Sequence, residues 1–217
     1  MKKSFLFSFG LIAAFALLFV SCDNGDDDYT PTTSQYKAVD LGLSVKWATF
    51  NVGATSPEDH GGYYAWGETE EKSNYSWGTY KWCNGSSNTM TKYCIDSDYG
   101  TVDNKTVLDP EDDVAHVKWG GDWRMPTNVE QDELRNNCTW EWTSLNGVNG
   151  YKVTGSNGNS IFLPAPGHHY GADGLYWSGS LISNYSVSAY YLGFLNDNYV
   201  WYGGNRYDGR SVRPVCE

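Results

Sequence analysis

The chain has 217 residues, with 26 acidic against 15 basic side chains and a formal net charge of −11. Nucleic-acid phosphates need a basic footprint, so this balance argues against a nucleic-acid partner and against docking of the folded part on anionic lipid. Aromatic residues make up 16% of the chain, which suits either a small β-rich core built from rings with polar tips or a binding surface.

Lys2 and Lys3 precede an apolar run from Phe5 to Val20, followed by Ser21-Cys22. A spanning helix needs about 20 apolar residues; this shorter run after a basic start reads as a secretory signal peptide over residues 1–21. Ser21-Cys22 resembles a bacterial lipobox, which makes Cys22 the lipid-bearing first residue of the mature chain; ordinary secretion with an incidental Cys22 is the alternative. Cleavage there removes Lys2 and Lys3 and takes the net charge from −11 to −13. Residues 22–35, acidic at Asp23, Asp26, Asp27 and Asp28 and then rich in Thr and Ser, read as a linker. Residues 36–217 make one domain.

Within that domain, Val39 to Val52 reads as strand with a turn at Leu41-Gly42-Leu43, and Tyr63 to Trp66 as a short aromatic strand. Residues 67–110 show no sustained period and predict loops with short strands. A helix is expected over Asp112 to Trp119, with Val114 and Val117 three apart and acidic residues in its first turn. A second is expected over Thr127 to Asn136. It opens on a capping box, Thr127-Asn128-Val129-Glu130, with Val129 and Leu134 as its buried face. Tyr151–Thr154 and Ser160–Leu163 flank Ser156-Asn157-Gly158-Asn159 and predict a hairpin. Strands follow at Leu175–Ser178, Ala189–Leu195, Tyr199–Tyr202 and Ser211–Val215, with a turn at Asn196 to Asn198. Two mid-chain helices among small, mainly antiparallel sheets make the fold class α+β.

Four cysteines remain after Cys22. An exported compartment permits two bridges in any of three pairings. Cys83 and Cys94 flank the turn-rich Asn84 to Asn88, which favours a local closure and leaves Cys138–Cys216 by elimination. No short Cys-x-x-Cys or His-x3-His spacing supports zinc. Asp96-x-Asp98-x-Gly100, with Asp103 and Asn104 nearby, offers oxygen ligands for calcium, against the plainer reading of a solvated acidic loop. His168-His169 lies in a loop without a companion Cys, Asp or Glu at suggestive spacing. Ser178 and Ser180 lack the Gly-x-Ser-x-Gly elbow, and no phosphate-cradling glycine loop is present. The residues read as non-enzymatic.

Val39-Asp40-Leu41-Gly42-Leu43-Ser44-Val45-Lys46-Trp47-Ala48-Thr49, Asn51-Val52-Gly53-Ala54 and Ala65-Trp66-Gly67-Glu68 resemble the opening of the Fibrobacter succinogenes major paralogous domain. The resemblance runs on through Val107 to Asp113, Trp119 to Thr127, Gly158 to Ala165 and Tyr176-Trp177-Ser178, and closes at Gly209-Arg210-Ser211-Val212-Arg213-Pro214-Val215. One departure is Phe50, where relatives are expected to carry Cys. The family is abundant in surface lipoproteins of gut Bacteroidetes, and the acidic residues after Cys22 resemble the surface-export signal of that lineage.

Asp112–Leu134 also resembles the helix–loop–helix segment of formylglycine-generating enzymes, which share the C-type lectin-like fold with adjacent chain ends. Those enzymes use cysteines near the chain's end, and Asn196 to Arg213 contains none. The resemblance therefore implies a lectin-like, non-catalytic module, lipid-anchored in the outer membrane at the cell surface, that recognises a glycan or protein ligand. The alternative is a structural or assembly component of a surface complex. In such a fold the connections between late strands carry the ligand face: Pro164 to Gly174, Asn196 to Asn198 and Gly203 to Gly209. Tyr170, Trp201, Tyr202 and Tyr207 are the rings placed to stack on sugar, and Asn205, Arg206 and Asp208 the polar contacts. Arg206 and Tyr207 are the first choices.

Overall fold

The structure is a computed structural model, and it describes residues 36–165, 173–196 and 198–217. Three antiparallel sheets of three strands and two helices make up the described fold, in agreement with the α+β class. Strands β1 (Ala38–Val39), β2 (Lys46–Ala48) and β9 (Val215–Cys216) form the first sheet. Trp47 lies opposite both Val39 and Val215, so the two ends of the domain are stitched side by side. Gly42, at φ 74°, makes the turn between β1 and β2, and its N–H donates to the Asp40 carboxylate at 2.7 Å.

Helices α1 (Val114–Trp119) and α2 (Asn128–Asn137) follow. The first begins two residues later than expected, because Pro110–Asp112 turns as a 3₁₀ helix and Asp113 is the true cap. Asp113 accepts from the N–H groups of Ala115 and His116, and its other oxygen from Met125. Burial pushes its carboxyl up, against those donors. The capping box on α2 forms as expected: Glu130 N–H donates to Thr127, and Thr127 N–H to Glu130 at 2.7 Å.

The buried side of α2 is corrected. Val129 is 68% exposed, and the residues turned inward are Leu134 and, three before it, Gln131. Gln131 donates to the carbonyls of Tyr176 and Trp177, so a polar side chain fastens this helix to the last sheet. Val117, paired with Val114 by spacing, is also exposed.

A meander of β3 (Thr139–Leu145), β4 (Val148–Thr154) and β5 (Ser160–Pro164) makes the second sheet. The β4–β5 hairpin turns at Asn157-Gly158 as the sequence predicts. Strand β3 was not anticipated, although Asn146-Gly147 carries the same turn signal, both residues standing at positive φ. The third sheet contains β6 (Gly174–Leu181), β7 (Ser188–Leu195) and β8 (Asn198–Asn205). Leu195 pairs with Asn198 across the expected turn. Only the last residue of the strand expected over Ser211–Val215 is in a strand. The rest of that run threads between elements: Trp177 N–H donates to the Ser211 carbonyl and Ala48 N–H to that of Pro214.

Four apolar clusters fill the described interior, two of them large. One surrounds Trp47, Leu134, Tyr151, Leu163, Tyr176 and Phe194 and draws on all three sheets, and the other surrounds Trp66, Tyr93, Val114, Met125 and Trp177. Whereas the buried Trp47 Nε1 has no partner among the described residues, three other buried rings find carbonyl partners: Trp66 Nε1 on Ser178, Trp177 Nε1 on Tyr64 and Tyr176 Oη on Pro164. This is the arrangement that lets a core be built from rings with polar tips.

Candidate ligand face

The connection from β8 to β9 carries three arginines, and all three point inward. Arg206 is fully buried. Its Nε donates to Tyr80 Oη at 2.8 Å, Nη1 to the carbonyls of Ser186 (2.8 Å) and Tyr93 (3.1 Å), and Nη2 to that of Lys92 (3.0 Å). The guanidinium lies 5.0 Å from the Trp66 ring centroid and 5.1 Å from that of Tyr80. Carbonyl dipoles and ring faces thus take the place of a carboxylate partner. The same contacts hold the Tyr80 phenol in place, although burial still raises its pKa.

Arg213 is buried in the same manner, donating to Asn51, Ala48 and Phe162, and desolvation lowers its pKa to about 10. Arg210 is packed against Tyr191 at 3.8 Å and Trp177 at 4.7 Å, and pairs with Asp208 at 3.0 Å. Gly204 leaves room for it, since a Cβ there would stand 2.4 Å from Arg210 Nη2 and would force the guanidinium to shift.

These positions correct the expected contact set. Arg206 cannot reach a ligand; it ties the 80–93 stretch to the end of β8. Asp208 is bound to Arg210. Tyr207 and Asn205 remain at the surface, the first half-buried and the second exposed. Tyr170 lies outside the described residues, and of Trp201 and Tyr202 only the backbone, within β8, is described.

Tyr207 meets a partner that sequence reasoning missed. Its ring packs edge-to-face on Trp77 at 4.8 Å, and Trp77 packs in turn on Tyr80 at 5.7 Å. Asn205 Nδ2 donates to Tyr207 Oη. Tyr75 lies beneath Gly209, where a Cβ would approach its ring to 2.7 Å, and its hydroxyl donates to the Tyr63 carbonyl. Tyr75, Trp77 and Tyr207 are each half-buried. Trp77 sits on a single 3₁₀ turn, Trp77–Thr79, inside the stretch that lacks any hydrophobic period. Only the close spacing of rings at Tyr75, Trp77, Tyr80 and Trp82 could have marked it.

The acidic loop is arranged otherwise than a calcium site needs. Asp103 accepts backbone N–H groups from Tyr93, Cys94 and Lys105; although burial opposes it, these donors hold its carboxyl below the usual range. Asp96 accepts from Asp98 N–H in a local turn. Neither joins the other in a ligand set. The carboxylates that do converge, among the described residues, are Asp109, Glu111 and Asp112. The Lys92 ammonium stands among them, 2.6 Å from both Asp109 and Asp112 and 3.5 Å from Glu111.

The expected disulfides are also corrected. Cys83, Cys94 and Cys138 are free, so neither Cys83–Cys94 nor Cys138–Cys216 forms. The Cys83 thiol donates to the Trp77 carbonyl and the Cys94 thiol to that of Asp96, so each is buried against its own stretch of chain. Cys22 and His168-His169 lie outside the described residues.

A cleft of about 390 Å³ opens between α1, the start of α2 and β6, with Leu108, Met125 and Gly179 at its sides and His116, Arg124 and Glu217 among its polar lining. Arg124 is already engaged there by Glu130 and Glu217. No helix among the described residues is long and apolar enough to cross a membrane. No family model, no characterised protein and no solved structure matches the chain.

Proposed function

We propose that this chain is a lipid-anchored cell-surface binding module of the Fibrobacter succinogenes major paralogous type, with a C-type lectin-like fold, and that it recognises a glycan or a protein without catalysing a reaction. The ligand face in this reading is the rim formed by Trp77, Tyr207 and Asn205. One observation carries it: two half-buried rings, Trp77 and Tyr207, stand in edge-to-face contact, and Trp77 packs in turn on Tyr80, whose hydroxyl is held by the fully buried Arg206. Rings held in this way offer flat apolar surface at little cost in conformational entropy, and Asn205 offers a polar group beside them. The stitched chain ends and the segregated small sheets support the fold assignment.

The test is a glycan array probed with the full chain and with Trp77→Ala and Tyr207→Ala. Binding that both substitutions reduce at least tenfold, with thermal unfolding little changed, supports the reading. Full binding in both variants moves the face elsewhere. The anchor is tested separately by mass spectrometry of the mature N-terminus, which is expected to begin at acylated Cys22.

A further inference from the structure

The outer edge of β3 lacks most of the devices that usually protect a sheet edge. Such edges are blunted by charged side chains, Lys above all, by Pro, by a bulge or by a covering segment. Strand β3 runs seven residues, Thr-Trp-Glu-Trp-Thr-Ser-Leu, with neither Pro nor Lys and with Glu141 as its single charge. Its register against β4 is unbroken from Thr139↔Thr154 to Leu145↔Val148. Beyond β4 there is β5, so β3 is the end of its sheet.

Hairpin geometry identifies which backbone groups face outward. The β3–β4 turn has two residues, Asn146 and Gly147, at φ 49° and 86°. A two-residue turn of this kind closes on a pair that exchanges both of its hydrogen bonds, here Leu145 and Val148, and bonded pairs then alternate along the ladder. Thr143 and Glu141 therefore bond to β4, while Trp142 and Ser144 direct N–H and C=O away from it. Among the described residues, no backbone bond from another element reaches Trp142 or Ser144.

We infer that this edge pairs with the same edge of a second copy of the chain, antiparallel, about a two-fold axis at Thr143. In that register Trp142 of each copy lies opposite Ser144 of the other, and the two pairs exchange four backbone hydrogen bonds from the four groups that face outward on each copy. The side chains and charges agree with it. A large indole meets a small hydroxyl, Thr143 meets its own counterpart, and Glu141 lies opposite Leu145. The two Glu141 carboxylates are then four residues out of step, and each keeps Lys152 of its own β4 directly across. An axis at Glu141 would set the two carboxylates face to face, which is unfavourable. A symmetric contact of this kind closes on itself as a dimer.

A cysteine scan on the full-length chain in cells tests the pairing. Residues facing each other across such a non-bonded pair have Cβ atoms close enough for a disulfide. Thr143→Cys is expected to give a covalent dimer on a non-reducing gel, at least tenfold above the parent chain, whose own Cys138 sets the background. Glu141→Cys, whose counterpart lies roughly 13 Å further along the strand at about 3.4 Å per residue, is expected to stay at background. Adding Ser144→Pro to Thr143→Cys removes an outward N–H and is expected to abolish the dimer. The inference is overturned by a Thr143→Cys chain that stays monomeric, by equal crosslinking at positions 141 and 143, or by a crosslinked band of another mass, which would place a foreign strand on the edge.

Discussion

The meander β3–β5 and the stretch from Gly67 to Asp113 reach order by opposite routes. In the meander each strand bonds its neighbour in sequence, two Asn-Gly turns set the register, and the strands need little from the rest of the chain beyond a core to lie on. The longer stretch contains only two 3₁₀ turns and isolated bridges. Its shape is held by side chains that arrive from far away: Arg206 on Tyr80, Lys92 and Tyr93, and Ser186 on Ile95 N–H. Tyr93 even stands at φ 57°, uncommon for a bulky residue and tolerated here because its ring packs on Trp66 and its hydroxyl donates to Asp112. Backbone pairing distributes stability over many equivalent bonds, whereas a side-chain network concentrates it in a few.

The sharpest way to break that contrast is Arg206→Ala. It leaves three buried carbonyls and the Tyr80 hydroxyl without a donor and is expected to cost about 3–5 kcal/mol in urea unfolding. Arg206→Lys is expected to recover only part of this, because an ammonium cannot reproduce the planar fork. A loss under 1 kcal/mol for Arg206→Ala would show that the irregular stretch stands without it.

Next in size is the inward face of α2, where Leu134→Ala is expected to cost about 2–5 kcal/mol and Val129→Ala no more than about 0.5 kcal/mol. Comparable losses at the two positions would reverse the helix orientation. Thr127→Ala, which removes the acceptor for Glu130 N–H, is expected to cost about 1 kcal/mol by the same measurement.

The smallest expected effect is on pH dependence. Although burial opposes it, the Arg124 guanidinium and Thr127 N–H hold the Glu130 carboxyl below its ordinary value of 4.5. A carboxyl lowered on folding stabilises fully above its unfolded value and loses that contribution as pH falls through the folded one. Glu130→Gln is therefore expected to be less stable than the parent at neutral pH and to flatten the loss on acidification below about pH 4.5. A parallel offset at every pH would assign the acid limb to other carboxylates.

Local chemistry in the sequence determined the elements whose causes lie within a few residues. The Thr127–Glu130 capping box, the Asn157-Gly158 hairpin and the Gly42 turn each need only a side chain and its near neighbours. The same signal stands at Asn146-Gly147 before β4, but the strand ahead of it alternates Trp with Thr and Glu rather than aliphatic with polar residues, a weaker local mark of a strand. What tertiary structure alone decided is where long polar side chains end. Arg206, between glycines in an apparent loop, looks like a surface residue until Tyr80, Tyr93 and Ser186 converge on it from three separate parts of the chain. Asp96, Asp98 and Asp103 look like a ligand set by spacing, yet backbone donors claim Asp103 and Asp96, and a different trio gathers around Lys92. Trp77 became part of the candidate face only because a turn with no periodicity is pressed against Tyr207, a contact across 130 residues that no local pattern can encode.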